Sequence, residues 1–530
     1  MKKILQRYGA LLMVLILVSA VCLLFSVRKS GMFIDEIYTY GLSNSHYAPY
    51  VSNIGGGDSF VDTVLTRQDL LDYLTVNDGE SFDFGSVYYN QAADVHPPLY
   101  YWLFNAASSL TPNVFSKWTG LVLDYLIYML CLVLLYALVR ALGGSRLNGA
   151  VAAALYGLSV MGLSTMLMIR MYVLLTAFTL LLALLTAKLM QKRRFVYYPL
   201  IGLTVFLGLM TQYYFVFYAF FLCAAYVFWA LAKKEYRSLG LFSLFAFLGV
   251  GCLLLAFPAC LDQLFADKLV SGGNAVDNLR DVSQYPQRLL YYFSDMRHGL
   301  KAAILVSFAA LLALLLCLKR LLAAGRAGAL HIAPWLVILL PALPTFVLAA
   351  ILSPVLDQRY VYNLAPILAA GAGFLLYLLE ESLGGFSREP LWKGAAALAI
   401  LAFALHIAHY SPPQYLYPEY AEYDALVRAH AAAPCVYMTD DYFPPVTQDL
   451  LQLLAFDEVF VTGDADSPAL DRYLERTDTD ECVVYIDVSA FWSSGFDPEQ
   501  MLPALLDSTD YTDSSLLYEN GLSVTYLLTK

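Results

Sequence analysis

The chain has 530 residues, of which 14% are charged and 59% are hydrophobic, and its mean hydropathy is +0.60. Typical soluble domains carry roughly 25% charged residues, so this composition excludes a cytosolic enzyme, a disordered chain, a coiled coil and a disulfide-based scaffold. The apolar residues gather in long runs, and a helix needs about 20 such residues to cross a bilayer. The sequence therefore predicts a polytopic α-helical membrane protein.

Charge divides the chain near residue 410. Residues 410–530 contain 22 acidic and 4 basic residues, a net charge of −18, whereas the 28 basic and 21 acidic residues before them give +7. We therefore predict a membrane domain over 1–409 and an acidic domain over 410–530. The acidic charge argues against nucleic acid as a partner, because binding to a phosphate backbone depends on Lys and Arg.

Apolar runs in the membrane domain predict about eleven spans. The first run follows Lys2, Lys3 and Arg7 without a small-x-small cleavage pattern, so we interpret it as an uncleaved anchor. Lys and Arg are concentrated in the short loops on the side of the N-terminus, which the positive-inside rule places in the cytoplasm. An odd number of spans then places the acidic domain outside. The eleven runs lie near 8–27, 117–139, 147–166, 171–190, 195–211, 213–232, 238–257, 301–318, 331–351, 361–379 and 391–409.

Two outer loops are longer than simple connectors, at residues 31–95 and 258–300. Loops of this length usually carry function or are disordered. The first loop contains ten acidic residues and one basic residue, Arg67. We expect function at its two ends.

The acidic domain has the pattern of an α/β fold with a parallel sheet. Short strands are predicted at Cys435–Met438, Glu458–Val461 and Cys482–Ile486, with amphipathic segments between them, and 516–529 reads as a hairpin that turns at Asn520-Gly521. No glycine-rich phosphate loop follows these strands, which favours an accessory or partner-binding role. Cys435 and Cys482 could form a disulfide if their strands are neighbours, or could both be free.

Two adjacent acids, Asp35 and Glu36, follow the first span in the stretch Phe33-Ile34-Asp35-Glu36-Ile37-Tyr38-Thr39-Tyr40. A carboxylate in such apolar and aromatic surroundings can act as a general base on a hydroxyl or can hold a divalent cation. The alternative is an interfacial helix cap with solvated acids.

The first outer loop ends in Asp94-Val95-His96-Pro97-Pro98-Leu99-Tyr100-Tyr101-Trp102, directly before an apolar stretch. The two prolines fix the backbone and stop helix propagation, so Asp94 and His96 are held rigidly before the next helix. The alternative is a plain turn before an interfacial helix with an aromatic belt.

Together these motifs resemble the GT-C glycosyltransferases that use polyprenyl-phosphate sugars. In particular, the sequence looks like the bacterial family 39 relatives, which include protein O-mannosyltransferases, aminoarabinose transferases and rhizobial galacturonosyltransferases. The resemblance rests on Asp35-Glu36, on the Asp94 to Tyr101 string and on Arg170-Met171-Tyr172 between the third and fourth spans. It covers roughly residues 1–380 and leaves the acidic domain outside.

This resemblance implies roles for the acids. Asp35 would correspond to the catalytic base that deprotonates the acceptor hydroxyl, with Glu36 beside it as a further candidate, and the anomeric configuration would be inverted. Asp94 would orient the acceptor or share a metal with Asp35. Metal dependence varies across the superfamily, so a divalent cation such as Mg or Mn stays open.

A lipid-phosphate leaving group would need cations at the outer face. Arg170 and Arg359 are the best candidates, because an arginine near hydrocarbon on that side is costly unless it is used; snorkelling to lipid headgroups is the alternative. The alternative for aromatic candidates is interfacial anchoring. The complete set of predicted substrate-binding residues is His96, Tyr100, Arg170, Tyr172, Tyr213, Arg297, His298, Arg359 and Tyr360.

The sequence thus predicts an inverting glycosyltransferase of the bacterial plasma membrane. It would move a sugar from a polyprenyl-phosphate carrier to a cell-envelope acceptor on the outer face. The alternative is a multi-span transporter or lipid flippase, which predicts an internal repeat. We find no such repeat, because the two long outer loops differ in length and composition.

Overall fold

The computed structural model describes residues 2–54, 59–265, 277–326, 328, 330–384, 390–440, 443–477, 479–489 and 496–530. The chain folds into two compact units, which we call the helical unit (Met1–Val27, Val95–Tyr100 and Leu121–Gln414) and the sheet unit (Arg28–Asp94, Tyr101–Gly120 and Tyr415–Lys530). This division differs from the predicted boundary at residue 410, because the first outer loop groups with the acidic tail.

The prediction of a polytopic α-helical membrane protein is confirmed. In the described part of the chain, eight helices are long and apolar enough to cross a membrane, or up to ten if each of two bent pairs forms one span. The eight are Tyr8–Arg28, Lys117–Ala141, Tyr172–Gln191, Phe215–Ala232, Tyr236–Ala256, Ile332–Leu352, Gln358–Leu383 and Pro390–Tyr410. The bent pairs are Arg146–Gly157 with Val160–Leu167, at 62°, and Val282–Gly299 with Lys301–Leu316, at 84°.

The remaining predicted span, near 195–211, is the short helix Tyr197–Leu209. Its 13 residues reach only about 20 Å at 1.5 Å per residue, which is less than the hydrocarbon thickness of about 30 Å. The described helices therefore support eight to ten spans rather than eleven.

Several spans are built from shorter segments. Ile332–Leu352 consists of Ile332–Leu339 and Ala342–Leu352, and the 3-10 helix Gln358–Leu364 precedes Ala365–Leu383. The first helix as a whole runs Lys2–Arg28. The other helical segments are Leu99–Ser108, Ala259–Phe265, the 3-10 turn Val282–Gln284, Tyr285–Gly299 and Leu318–Arg326.

The bend at residues 157–160 has a local cause. The Ser159 hydroxyl donates to the Tyr156 carbonyl at 2.7 Å and accepts from the Gly162 N–H at 3.0 Å. A serine that caps the next helix in this way replaces the backbone hydrogen bonds that would have continued the first one. The second segment, Val160–Leu167, then leads directly to Arg170.

The sheet unit contains one six-stranded mixed sheet in its described residues, in the order β1-β3-β2-β4-β6-β5. The strands are β1 Thr63–Thr66, β2 Cys435–Met438, β3 Glu458–Thr462, β4 Glu481–Asp487, β5 Asp513–Glu519 and β6 Ser523–Thr529. Strands β3, β2 and β4 are parallel, as predicted, and β5 with β6 forms the predicted hairpin. The helices of this unit are Ile34–Asn44, the 3-10 turn Val51–Asn53, Arg67–Leu74, Phe84–Ala93, Tyr420–Ala429, Phe443–Leu453, Pro468–Thr477 and Pro498–Ser508.

Strand β1 was not predicted. It comes from the first outer loop and pairs antiparallel with β3, so that Thr63 lies opposite Val461. The Arg67 guanidinium, two residues beyond Leu65, donates to the carbonyls of Leu454 and Ala455 at 2.9 and 2.8 Å. The single basic residue of the loop therefore fixes the loop to the tail.

The two cysteines of the tail are both buried and free. Cys435 lies opposite Val483 in the parallel pairing of β2 with β4. Cys482 is adjacent to Val483, and successive side chains of a strand point to opposite faces of the sheet. The strands are neighbours, but their register places the two thiols on opposite faces and prevents a disulfide.

Candidate functional site

The predicted site residues fall into two groups. The three acids belong to the sheet unit, whereas the predicted cations and aromatic residues belong to the helical unit. Each group is described within its own unit.

Glu36 has a structural role, and its place among the catalytic candidates stays a prediction. Its side chain is fully buried, and its Oε2 atom lies 2.9 Å from Lys29 Nζ. The same oxygen accepts the Phe33 N–H at 2.7 Å, which caps the start of helix Ile34–Asn44. A carboxylate that neutralises a buried lysine and caps a helix is already used in the fold.

Asp35 has a different environment from its neighbour. It is half-buried and lies in the first turn of the same helix. The positive end of the helix dipole stabilises a carboxylate at this position. The Asp35 carbonyl accepts the Thr39 hydroxyl at 3.1 Å, which is a contact within the helix. Of the two adjacent acids, Asp35 is the one that solvent or a substrate can reach.

Asp94 follows helix Phe84–Ala93 and is also half-buried. The preceding carbonyl, of Ala93, accepts the Tyr50 hydroxyl at 3.0 Å. Burial raises the pKa of Tyr50 above its usual value, and the charge of Asp94 raises it further. Asp94 therefore lies close enough to Tyr50 for its charge to act on the Tyr50 hydroxyl.

Asp35 lies near an aromatic cluster that contains Tyr38 and Tyr50. Burial raises the pKa of Tyr38 well above its usual value, and the charge of Asp35 contributes to this effect. The rings of Tyr38 and Tyr50 lie 6.5 Å apart in an edge-to-face arrangement. Because Asp35 acts on one ring and Asp94 on the other, both acids adjoin one group of neutral tyrosines.

The tail contributes Phe443 to this cluster, which sequence analysis missed. Its ring stacks on Tyr50 at 4.7 Å and meets Tyr38 edge-on at 6.4 Å. Phe443 is half-buried at the start of helix Phe443–Leu453. No sequence signal pointed to this residue, because it lies 393 positions after Tyr50 and only the fold brings them together.

Asp35 and Asp94 are also the acids that could hold a metal ion. Within the described residues, no group of three or more His, Cys, Asp or Glu side chains comes together as a metal site. Mg²⁺ commonly takes only one or two carboxylates, with water and substrate phosphate as its other ligands. Two carboxylates fit such a site, so a divalent cation on Asp35 and Asp94 stays a prediction.

In the helical unit, Arg170 lies between helices Val160–Leu167 and Tyr172–Gln191. It is buried, with 3% of its surface exposed, and its backbone N–H donates to the Met168 carbonyl at 2.7 Å. Tyr172, two residues later, is buried as well. A buried arginine is costly, because its charge must leave water. Arg170 is therefore placed in the interior of the unit rather than at its lipid-facing surface.

Arg359 and Tyr360 lie in the 3-10 helix Gln358–Leu364 and are both buried. The Arg359 guanidinium lies 5.4 Å from the centre of the Tyr360 ring, and its Nε atom lies 3.6 Å from Asp357 Oδ2. The Tyr360 ring meets Tyr172 edge-on at 6.4 Å. Three predicted residues, Tyr172, Arg359 and Tyr360, are thus brought into one cluster.

Tyr214 completes this cluster. Its ring centre lies 5.0 Å from that of Tyr360, and its hydroxyl donates to the Leu352 carbonyl at 3.0 Å. The adjacent Tyr213, one of the predicted substrate contacts, donates to Gln263 Oε1 at 2.5 Å. The tyrosine pair itself was visible in the sequence, but its orientation was not.

The segment with His96 and Tyr100 has a clear anchor in the helical unit. The Tyr100 hydroxyl donates to Asp124 Oδ1 at 2.8 Å, and both side chains are fully buried. The Leu99 N–H donates to the Met210 carbonyl at 3.0 Å. Tyr100 therefore fixes the segment in place, and its role as a substrate contact stays a prediction. His96 is half-buried.

Arg297 and His298 lie in the last turn of helix Tyr285–Gly299, and both are exposed. His298 Nδ1 lies 2.8 Å from the Ser294 carbonyl of the same helix. The buried arginine of this helix is Arg288, whose Nε donates to the Ala350 carbonyl at 3.0 Å and which also bonds Ser353. Arg288 joins this helix to the end of helix Ala342–Leu352, which gives it a structural role.

Comparison with protein families and with curated proteins gives two findings. Residues 95–261 match the model of the dolichyl-phosphate-mannose-protein mannosyltransferase family. No curated protein matches the chain in sequence.

Among solved structures, ArnT from Cupriavidus metallidurans bound to undecaprenyl phosphate is similar over 98% of both chains, at 12% identity and a TM-score of 0.52. The archaeal oligosaccharyltransferase AglB from Archaeoglobus fulgidus, in complex with an inhibitory peptide and a dolichol-phosphate, matches over 91% of this chain and 70% of its own, at 11% identity and a TM-score of 0.44. The matched family segment contains the His96-Pro97-Pro98 motif and Arg170. The resemblance drawn from the motifs is thereby confirmed: this multi-pass membrane protein has the fold of the GT-C glycosyltransferases and is similar to their family 39.

Proposed function

We propose that the protein is an inverting glycosyltransferase that moves a sugar from a polyprenyl-phosphate carrier to an acceptor hydroxyl. The observation that carries this proposal is the different placement of two adjacent acids. Glu36 is buried against Lys29, whereas Asp35 stays half-exposed beside the aromatic cluster that Asp94 also borders. A reachable carboxylate in partly apolar surroundings is suited to general base catalysis.

In the proposed reaction, Asp35 takes the proton of the acceptor hydroxyl as the hydroxyl oxygen attacks the anomeric carbon. The attack comes from the face opposite the phosphate, and the bond between the anomeric carbon and the phosphate oxygen breaks with its electron pair left on that oxygen. One new glycosidic bond forms with inverted configuration. Asp94 accepts a hydrogen bond from the acceptor and thereby orients it.

The leaving lipid phosphate gains negative charge as its bond to the sugar breaks. We assign Arg170 and Arg359 to this phosphate, because guanidinium groups bind phosphate through paired N–H donors. Both arginines are buried in the helical unit, where their charges have more effect than they would in water. The Tyr360 ring lies against the Arg359 guanidinium, and Tyr172 packs edge-on against Tyr360. Both rings offer faces for the sugar or the prenyl chain.

Separate observations support the proposed donor class and the proposed location. A relative of the same fold is bound to undecaprenyl phosphate, which favours a polyprenyl carrier here. The distribution of Lys and Arg favours a cytoplasmic N-terminus and an extracytoplasmic tail in a bacterial plasma membrane. The acceptor is then a component of the cell envelope. We expect the sugar to be a hexose or a pentose.

The test is release of polyprenyl phosphate from a panel of labelled polyprenyl-phosphate sugars. Membranes with matched amounts of wild-type protein, Asp35→Asn or Asp78→Asn would be compared, with acceptor extract and divalent cations present. Asp78 is an exposed acid of the same loop and serves as the control. We expect wild type and Asp78→Asn to release phosphate from one donor, and Asp35→Asn to be slower by about 10²- to 10⁴-fold.

Two results would contradict the proposal. Equal release by Asp35→Asn and wild type would keep the transferase but remove Asp35 as the base, and Asp94→Asn would then be tested. An absence of release from every donor would favour the transporter or flippase alternative.

A further inference from the structure

Two adjoining cavities lie at one end of the helical unit. There, helices Lys117–Ala141 and Ala365–Leu383 end, and helices Arg146–Gly157 and Pro390–Tyr410 begin. The first cavity has a volume of about 850 Å³ and is lined by charges of both signs. The charged residues are Arg140, Arg146, Lys393, Glu380 and Glu381.

The second cavity, of about 570 Å³, is almost entirely apolar. Its walls come from four helices, with Ala399 and Phe403 on the last span and Leu305 on helix Lys301–Leu316. Leu147, Ala396 and Ile400 line both cavities. A polar chamber thus continues directly into an apolar one.

The last span leaves this space open. Along Pro390–Tyr410, the buried residues are Ile400, Ala404 and Ile407, and the helix presents small alanines to the apolar cavity. Trp392, Ala395 and Ala399 on this helix are exposed, so the apolar cavity is an open groove between helices. Atoms that line such a groove lack dispersion contacts on one side. A hydrocarbon chain from the surrounding bilayer would restore those contacts.

The charges of the first cavity define the headgroup. Three cations suit a phosphate, which Arg and Lys bind through charge-assisted hydrogen bonds. The two carboxylates suit a cation, and one of them, Glu380, already accepts Asn148 Nδ2 at 3.0 Å. Glu381 is exposed within the same cavity and can accept an ammonium group.

We propose that these cavities bind one bilayer phospholipid whose headgroup carries both a phosphate and a primary ammonium group. The phosphate lies among Arg140, Arg146 and Lys393, the ammonium group at Glu381, and one acyl chain in the apolar cavity. Basic pockets between transmembrane helices are known to bind lipid headgroups. A cavity of about 300–1,000 Å³ is also the usual size for small-molecule binding.

This lipid site is separate from the proposed transfer reaction. Arg140 and Asp124 lie on one helix, 16 residues apart, which corresponds to about 24 Å. Asp124 anchors the Tyr100 segment. In this proposal the lipid is a bound component of the fold and not the sugar donor.

The experiment is native mass spectrometry of the full chain in nanodiscs made with equal amounts of three lipids. Phosphatidylethanolamine carries phosphate and primary ammonium, phosphatidylcholine carries phosphate and a quaternary ammonium without N–H donors, and phosphatidylglycerol carries phosphate alone. We expect one retained phosphatidylethanolamine per chain, preferred about tenfold over each of the others. Equal retention of all three, preference for phosphatidylglycerol, or no retained lipid would overturn the proposal.

Variants separate the two parts of the site. Arg146→Gln with Lys393→Gln should reduce retention of every phospholipid by about tenfold, whereas Lys192→Gln with Lys233→Gln removes two exposed cations elsewhere and should change nothing. Glu381→Gln should abolish only the preference for phosphatidylethanolamine over phosphatidylcholine. Ala399→Phe fills the apolar cavity without changing charge, and it should lower retention as well. Unchanged retention in Arg146→Gln with Lys393→Gln, an unchanged preference in Glu381→Gln, or unchanged retention in Ala399→Phe would each overturn the proposal.

Discussion

Lys29 and Glu36 form a fully buried ion pair in the sheet unit, with Nζ and Oε2 2.9 Å apart. Lys29 Nζ also donates to the Tyr415 carbonyl at 2.6 Å, and Lys117 Nζ donates to the Lys29 carbonyl at 2.5 Å. The lysine thus joins the end of the first helix to the start of the tail. Asp35 gains a fixed position, because the acid beside it is held from several directions.

Removing one member of this pair should destabilise the protein. Glu36→Leu leaves the Lys29 ammonium buried without its counter-charge, which typically costs about 3–5 kcal/mol. We expect a clear fall in the unfolding temperature in detergent, whereas Asp35→Asn should leave that temperature unchanged. The double variant Lys29→Met with Glu36→Leu should recover much of the loss. A stable Glu36→Leu protein without transferase activity would instead return Glu36 to the catalytic candidates.

Arg359→Lys tests the phosphate assignment. Lysine keeps the charge but loses the planar fork and the stacking on Tyr360. We expect donor turnover to fall by about tenfold or more, with little change in unfolding temperature. Arg320→Lys, at an exposed position that is not among the predicted site residues, is the matched control. Equal activity of both variants would indicate that Arg359 serves only to hold Asp357 and Tyr360.

Tyr100→Phe should affect stability more than substrate binding. The change leaves buried Asp124 without the donor now 2.8 Å from its Oδ1 atom, and loss of a partner to a buried polar group costs about 1–3 kcal/mol. Thermal unfolding and KM for the donor would be measured together. A raised KM at unchanged stability would show that Tyr100 contacts the substrate after all.

Arg67→Gln should loosen the junction between β1 and the tail. The guanidinium bonds two carbonyls, of Leu454 and Ala455, and also pairs with Asp457 at 3.0 Å. Because Asp457 is 90% exposed, the ion pair itself contributes little. We therefore expect Asp457→Asn to be silent and Arg67→Gln to increase hydrogen exchange in Thr63–Thr66. Similar exchange in both variants would contradict the role of the carbonyl contacts.

Asp449 makes the stability of the sheet unit depend on pH. Burial raises its pKa to about 6 from an ordinary value of 3.8, although hydrogen bonds from Ser523, Tyr437 and Asn520 partly offset the effect. Because the folded-state pKa is raised, the stabilisation is fully present below about pH 4 and is lost as the pH rises through 6.

The shift corresponds to about 3 kcal/mol. Asp449→Asn cannot ionise, so its stability relative to wild type should rise by about this amount between pH 4 and 7. Hydrogen exchange of β4 and β6 at several pH values would measure the difference. Parallel pH profiles for the two proteins would contradict this account.

The sequence by itself determined the features that depend on local pattern. Long apolar runs predicted the spans, because hydrocarbon thickness sets their length, and short apolar runs between amphipathic segments predicted β2, β3 and β4. The motif residues Asp35, Asp94, His96 and Arg170 were identified by their spacing and by their resemblance to a family.

Only the tertiary structure decided which polar side chains are buried in structural contacts and which stay accessible. Adjacent acids look alike in a sequence, and the burial of Glu36 beside Lys29 separates it from Asp35. The four residues of β1 are too few to give a strong strand signal in the sequence. Their partner strand lies almost 400 positions later, so only the fold reveals the pairing. Cys435 and Cys482 point to opposite faces of the sheet because Cys435 pairs with Val483, one residue after Cys482. This register is fixed by pairing between distant segments and not by either strand alone.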